Sequence, residues 1–205
     1  MMMLNDLRLF ENNKVFRYIE KTTGYNFNFS TDLLIHGYNV GAISYEIAKK
    51  IGLDNHNQMM MIGILHDVGK SKIPPSILFK PTKLTNSEYE IMKHHSVYSE
   101  ELVRLIIKSD KVDDYAKIIR HHHENWDGTG YPDNLKGEEI PVESRILSIA
   151  DINDAIVQPR IYRPYSIANP IAVLEESVGT KIDAEIFKIA KPILEKLNKE
   201  IYENE

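Results

Sequence analysis

The sequence predicts an all-α domain, on three observations. Capping signals for helices recur along the whole chain, with Ser/Thr/Asp/Asn before apolar-periodic runs and Gly or Pro after them. No segment shows the period-two alternation of a half-buried strand. The composition, 42% hydrophobic and 27% charged over 205 residues, suits one well-buried soluble domain with helices packed on a shared core.

Taken in order, Leu4–Glu20 reads as a weakly amphipathic helix followed by a loop, Thr22–Phe29. We treat residues 1–29 as an N-terminal helix and loop, and 30–205 as the domain. Ser30, Thr31 or Asp32 caps a helix that runs to Gly52, a residue suited to a helix C-terminus. Asp54 or Asn55 caps the next, which carries Met59–Asp67 and is broken by Gly69. Pro74-Pro75 interrupts, leaving at most one turn over Ser76–Phe79. Thr85-Asn86-Ser87-Glu88 is a capping box that starts a helix to about Lys108. Asp110–His123 is another helix, and Asn125–Pro132 is a loop by its glycines and proline. Pro141 starts Val142–Val157. Asn169-Pro170 caps a short helix to Gly179, and Asp183 starts the last, in which Pro192 introduces a kink. The sequence contains no internal repeat and no low-complexity tract.

Composition removes several function classes. Cys is absent, which excludes disulfides, iron–sulfur clusters and thiolate zinc sites. Any metal must be held by His and carboxylate. No apolar run approaches the roughly 20 residues of a membrane helix, and Met1–Leu4 does not open a signal peptide, so the expected location is the cytoplasm, with no membrane contact. The net charge of −5 provides no basic field for a DNA or RNA polymer, so an anionic substrate must be drawn by local cations.

Helical phase sorts the histidines. Leu33, His36, Val40, Ile43 and Ile47 share a face, so His36 points inward. Ile62 lies one turn before His66 and puts that imidazole on the packed side. Ile91, His95, Tyr98, Leu102 and Leu105 form an apolar stripe, while His94 sits with Glu90 and Glu101 on the wet face. Val112, Ala116, Ile119 and His123 form another, with His122 at its edge and His121 angled away. Leu147, Asp151 and Asp154 continue a stripe as carboxylates. Five histidines and at least two aspartates therefore project inward from five helices. Buried without partners, such groups would each cost several kcal/mol. Cations supply the partners, and imidazole with carboxylate suits iron, manganese or zinc. His36, His66, Asp67, His95, His122, His123 and Asp151 are too many for one metal with an open position. If Asp67 bridges with its two oxygens, two ions share the set and keep positions for water and substrate. The chemistry this favours is hydrolysis of a phosphate ester.

His36, then His66-Asp67 with Gly69-Lys70, then Asp151 resembles the HD phosphohydrolase superfamily. His122-His123-Glu124-Asn125-Trp126-Asp127-Gly128-Thr129-Gly130-Tyr131-Pro132 resembles, more narrowly, the HD-GYP family. So do Ile73-Pro74 with Ile77-Leu78, Lys80-Pro81 with Lys83-Leu84-Thr85, Leu135–Pro141 and Arg145–Asp154. The resemblance spans about Ser30 to Pro192. It implies an HD-domain helical bundle with the signature loop, a centre of two or three divalent ions, commonly iron or manganese, and hydrolysis of cyclic di-GMP to pGpG or GMP.

Residue by residue, the resemblance makes His36, His66, Asp67 and Asp151 ligands of one metal, with Asp67 bridging. It makes His95, His122 and His123 ligands of its neighbours. Lys70 matches a lysine that contacts phosphate or assists proton transfer, so Asp67 and Lys70 are the catalytic candidates. Arg160 and Arg163 fall in a stretch that faces substrate phosphates. Gly130, Tyr131 and Pro132 match the loop that binds substrate or a partner such as a diguanylate cyclase domain. Asp32, one turn before His36, stands at the offset where trinuclear members carry a glutamate ligand of the third metal; its other role is that of helix cap. The sequence departs from the pattern at Ser99, usually glycine, at Ala184, usually proline, and at Gln158-Pro159, usually a small polar pair. No receiver or sensory domain is recognisable before Ser30.

Base recognition lies in loops such as Thr129–Asn134 and Gln158–Tyr165, so cyclic GMP-AMP is an alternative substrate. A non-catalytic module that binds a dinucleotide or a partner is the reading from a different class. Met59-Met60-Met61 reads as core filling rather than a metal site. Trp126 either stacks on a guanine or anchors its loop. Asp154 is expected to orient a ligand or Arg160 rather than to bind metal, and Lys191–Glu205 reads as a solvated helix end.

Overall fold

The computed structural model describes residues 31–158 and 169–202. The expected N-terminal helix, the side chain of Asp32, and Arg160 and Arg163 lie outside the described residues. The described chain is helical, with one isolated bridge between Val178 and Ile182 as its extended pairing. No helix among the described residues is long and apolar enough to cross a membrane.

Helix α1 (Thr31–Ile51) is the central element. It packs along α2 (Met59–Leu65) and α7 (Val142–Val157), and α9 (Ala184–Tyr202) lies against it as well. Between α2 and α7 the chain forms α3 (Pro75–Leu78), α4 (Asn86–Lys93), α5 (His95–Ile106) and α6 (Val112–Arg120). Helix α8 (Pro170–Glu175) leads from α7 towards α9. Val40, Ile43 and Ile47 of α1, Ile62 of α2, Leu102 of α5, Ile119 of α6 and Ile146, Leu147 and Ile149 of α7 are all at most 1% exposed. Each contributes about 1.5–3 kcal/mol by leaving water.

Several boundaries follow the sequence closely. Gly52 ends α1 with φ of 90°, its N–H bonding back to the Ala48 carbonyl at 3.0 Å. Thr85 and Glu88 form the reciprocal capping box at the start of α4. Helix α7 covers Val142–Val157 after Pro141. Asn169 caps α8, accepting from the Ala172 N–H at 3.1 Å, and Asp183 accepts from Glu185 and Ile186 at the head of α9.

Others differ, and the reasons are physical. The single helix expected from the capping box to Lys108 is two, α4 and α5, divided at His94. Ile91 and Leu105, expected on the apolar stripe, are 43% and 52% exposed. The break turns α5 so that its buried face is His95, Ser96, Ser99, Leu102, Val103 and Ile106. The helix expected over Asp110–His123 ends at Arg120, and His121–His123 form a turn. Gly69 does not end a helix. Helix α2 has already stopped at Leu65, and Gly69 sits inside a tight 3₁₀ segment, Val68–Lys72.

Candidate metal centre

Small residues set the approach of α1 and α2. A Cβ on Gly63 would lie 2.3 Å from the Gly41 Cα, so the helices cross at a distance only glycine permits. That crossing sets the His36 and His66 rings 5.2 Å apart. His66 still has helical φ and ψ, while Asp67 turns out of the helix with φ of −101° and ψ of 8°. The two neighbouring side chains then converge, with His66 Nε2 3.4 Å from Asp67 Oδ2.

Two groups of donors meet at Asp67. Around Oδ2 lie His36 Nε2 at 3.6 Å and His66 Nε2 at 3.4 Å. Asp151 Oδ1 closes this group, 3.1 Å from His36 Nε2 and 3.8 Å from His66 Nε2. On the other side, His95 Nε2 stands 3.3 Å from Asp67 Oδ1 and 3.4 Å from His122 Nε2, and His123 Nε2 is 3.1 Å from His95 Nε2. The structure thus gathers His36, His66, Asp67, His95, His122, His123 and Asp151, contributed by α1, the turn just after α2, α5, the turn after α6, and α7.

The far sides of the rings decide their tautomers. His66 Nδ1 donates to the Gly63 carbonyl at 2.6 Å, His95 Nδ1 to Met92 at 2.8 Å, and His122 Nδ1 to Ile119 at 2.6 Å. A carbonyl can only accept, so each neutral ring turns a bare Nε2 lone pair inward. His95 and His122 therefore face each other with two acceptors at 3.4 Å, which is no hydrogen bond in the neutral state. His36 Nδ1 donates to Asp154 Oδ2 at 2.6 Å, and Asn39 Nδ2 donates to Asp154 Oδ1 at 2.9 Å. Asp154 is fully buried and orients His36, a partner arrangement typical of ligating histidines.

The charges tell the same story. Burial pushes His95 down to about 3, His123 to about 4 and His122 well below the ordinary imidazole value, and it lowers His66 despite the nearby carboxylates. These rings are neutral at pH 7. Burial would also lower His36, but Asp151, Asp154 and Asp67 outweigh it and hold a proton there. Burial alone would raise Asp67 and Asp151, yet Lys70 with the surrounding imidazoles for Asp67, and His36 for Asp151, keep both carboxyls well below their usual range. His66 Nε2 and Asp67 Oδ1 are buried and find no hydrogen-bond partner among the described residues. Orphaned acceptors converging on shared points are what cations satisfy, and all-imidazole and carboxylate donors suit iron, manganese or zinc.

Lys70 reaches back to contact Asp67 Oδ2 and remains one-fifth exposed. Behind the centre, Gly69 donates to Ser99 Oγ at 2.8 Å, so the unusual serine serves packing and touches no ligand.

The signature loop is pinned beside the second donor group. Glu124, 2% exposed, accepts from the N–H groups of Asp133 at 2.7 Å and Leu135 at 3.1 Å. Trp126 donates its N–H to Lys181 at 3.2 Å, and its ring faces the Arg145 guanidinium at 5.6 Å. Trp126 is thus the anchor of its loop, not a free stacking surface. Gly130 is buried, Pro132 half-buried, and the Tyr131 ring lies on His123, centroids 4.8 Å apart and planes 33° from parallel. His121, expected on the exposed side, is 6% exposed. It turns away from the centre and bonds Asp133 Oδ2 at 2.8 Å, while Arg120 grips the same carboxylate from two nitrogens. His121, Glu124 and Asp133 lie close enough to hold a cation, but Arg120 and backbone N–H groups already compensate both carboxylates. The loop latch of Glu124 and Asp133 escaped the sequence reading because no helical period covers a turn.

An HD-domain family model matches residues 9–186. The chain therefore belongs to the HD-domain family, and its His66-Asp67 pair with Gly130-Tyr131-Pro132 makes it an HD-GYP member. It is 36% identical over 137 residues to a cyclic di-GMP phosphodiesterase of Vibrio cholerae, covering 64% of this chain and 28% of that protein. It is 35% identical over 159 residues to a 3'3'-cGAMP-specific phosphodiesterase of the same organism, covering 75% of this chain and 36% of that one. The chain thus spans about a third of the length of these relatives. Among solved structures, Bd1817, a HDG"Y"P protein from Bdellovibrio bacteriovorus, superposes with a TM-score of 0.62 at 18% identity. That match covers 88% of this chain and 61% of Bd1817, and it shows a shared fold.

Proposed function

We propose that this chain is a metal-dependent phosphodiesterase that hydrolyses cyclic di-GMP to pGpG or GMP. One observation carries the reading: the two oxygens of buried Asp67 face two separate groups of imidazoles, among which His66, His95 and His122 turn bare Nε2 lone pairs inward. The names borne by the curated relatives support the substrate class. His36, His66, Asp67 and Asp151 would hold one divalent ion, and His95, His122 and His123 its neighbour, with Asp67 shared. Iron or manganese fits a donor set of nitrogen and oxygen without sulfur. Bound there, such ions polarise a phosphodiester and make water a nucleophile at neutral pH.

The side chains do the rest. Asp154 fixes the His36 ring so that Nε2 faces inward. Lys70, at the exposed edge of Asp67, bears the positive charge that a transferring phosphoryl group and a leaving oxygen need. Gly130, Tyr131 and Pro132 are proposed to bind substrate, with the Tyr131 ring against His123 limiting access of bulk water. Arg160 and Arg163 are proposed to bind the substrate phosphates. Arg160→Ala and Arg163→Ala should each raise KM by about ten- to a hundredfold, the worth of a charged hydrogen bond. Metal content should not change, because guanidinium does not ligate cations. Metal loss in either purified variant would mean that these arginines shape the site instead.

Asp32 is proposed as a ligand of a third ion. Protein loaded anaerobically with iron or manganese should then hold about three metals per chain, falling to two in Asp32→Ala, with pGpG cleavage suffering more than ring opening. Two metals in fully loaded wild type would leave Asp32 a helix cap.

A second substrate, cyclic GMP-AMP, has specific support in the similarity to the cGAMP-specific relative. Anaerobic purification, metal analysis and chromatography of products from a panel of cyclic dinucleotides decide between the two. Metal-loaded protein that binds a dinucleotide but releases no product would sink the catalytic reading in favour of a binding module.

A further inference from the structure

Helix α4 is firmly capped by Thr85 and Glu88, yet none of its residues is buried. A helix that adds nothing to the core has its use at the surface. Its last turn runs into His94 and His95, so Lys93 stands two residues from the second donor group. The Lys93 Nζ lies 5.7 Å from the centroid of the Tyr131 ring, which itself rests on His123, and 5.1 Å from that of Tyr89. A continuous strip results: His95 and His123, then Tyr131, then Lys93, then Tyr89, which is 47% exposed. The counterion of Lys93 is Glu90, at 2.7 Å and itself 65% exposed on its side chain. An exposed pair of this kind is weak and exchanges readily for a better anion. The protein is net acidic, so a cation at this rim is one of the few features that can attract a phosphate.

We propose that α4 is a recognition edge of the centre, on which Tyr89 stacks against one purine base of the substrate and Lys93 engages its phosphate. This rests on the cyclic-dinucleotide reading above and adds to it which surface holds the base. Aromatic stacking is indifferent to base identity, so the edge would serve cyclic di-GMP and cyclic GMP-AMP alike. Neither residue touches the donor atoms, so their loss acts on binding.

The test combines steady-state kinetics of the metal-loaded protein with equilibrium dialysis of a labelled, hydrolysis-resistant phosphorothioate analogue of cyclic di-GMP against the same metal-loaded protein. Tyr89→Leu should raise KM and the dissociation constant on the order of tenfold, and Tyr89→Phe should restore them. Lys93→Met should raise KM several-fold at low salt and less at high salt. Glu90→Gln, which frees Lys93, should lower KM. In all four, kcat should change far less than KM and metal content should stay at the wild-type level. A wild type that binds without hydrolysing overturns the catalytic reading alone. A wild type that hydrolyses, with Tyr89→Leu and Lys93→Met at unchanged KM, overturns the recognition edge alone, and a chain that neither binds nor hydrolyses overturns both.

Discussion

Asp67→Ala is expected to lower metal occupancy at both positions and to reduce turnover on the order of 10³-fold or more. The reason is that its Oδ2 belongs to the His36, His66 and Asp151 group while its Oδ1 belongs to the His95 group. Removing any single imidazole leaves the other position complete; removing Asp67 does not. It also strands Lys70, whose partner that carboxylate is, and leaves the His95 group without the anion that links it to the first group. Asp154→Ala makes the informative comparison. It frees the His36 ring without deleting a donor, so metal affinity or activity should fall by roughly 10- to 100-fold. His94→Ala should leave activity within about twofold, because the exposed His94 ring is turned back to the Glu90 carbonyl at 2.8 Å rather than toward the donors. Elemental analysis of each purified variant, alongside turnover, checks the series. Full metal content in Asp67→Ala would refute the shared carboxylate.

How much of this centre the sequence revealed depends on which residues lie within a regular helix. His36, Val40, Ile43 and Ile47 obey one period, and all four are buried as that period requires. Leu147, Asp151 and Asp154 share one face of α7, the first and last buried and Asp151 half-buried at the cleft, and Asp154 bonds His36 Nδ1 as an orienting partner would. Phase arguments weaken where helices stop. The stripe through Ile91 and Leu105 failed because His94 divides α4 from α5, and nothing in a single capping box announces a second helix start. His121 was misjudged for the same reason. Beyond Arg120 the backbone turns, so an angle of about 100° per residue no longer says where a side chain points. Its partner Asp133 lies twelve positions along, at a separation no local pattern encodes. The sequence leaves Trp126 open between two roles, and the Arg145 guanidinium against its ring, brought from across the fold, favours the anchor.

Close approach is the other thing a linear reading misses, and Gly69 is where it matters most. A Cβ built there would lie 2.1 Å from the His95 carbonyl oxygen, 2.4 Å from the Ser99 nitrogen and 2.8 Å from the Ser99 Oγ. Two of these are backbone atoms of α5, which cannot swing aside as a side chain can. Gly69→Ala should therefore destabilise the fold by about 3 kcal/mol or more, at the upper end of overpacking costs. It should also disturb chemistry, since the segment Val68–Lys72 that carries Gly69 follows directly on Asp67, and the clash is with His95, one of the three residues of the second donor group. Two controls separate packing from simpler causes. Ser99→Ala removes only the hydroxyl that accepts from Gly69 and should cost about 1–3 kcal/mol, the range for leaving a buried donor unpaired. Gly52→Ala meets open space but sits at φ of 90°, so it should cost about 1 kcal/mol and leave metal content intact. Denaturant titration ranks the three, and metal analysis of the folded fraction reads the coupling. Gly69→Ala that unfolds at the wild-type midpoint with both metals in place would show that α5 yields to a methyl group, and that the contact does not set the distance between Asp67 and His95.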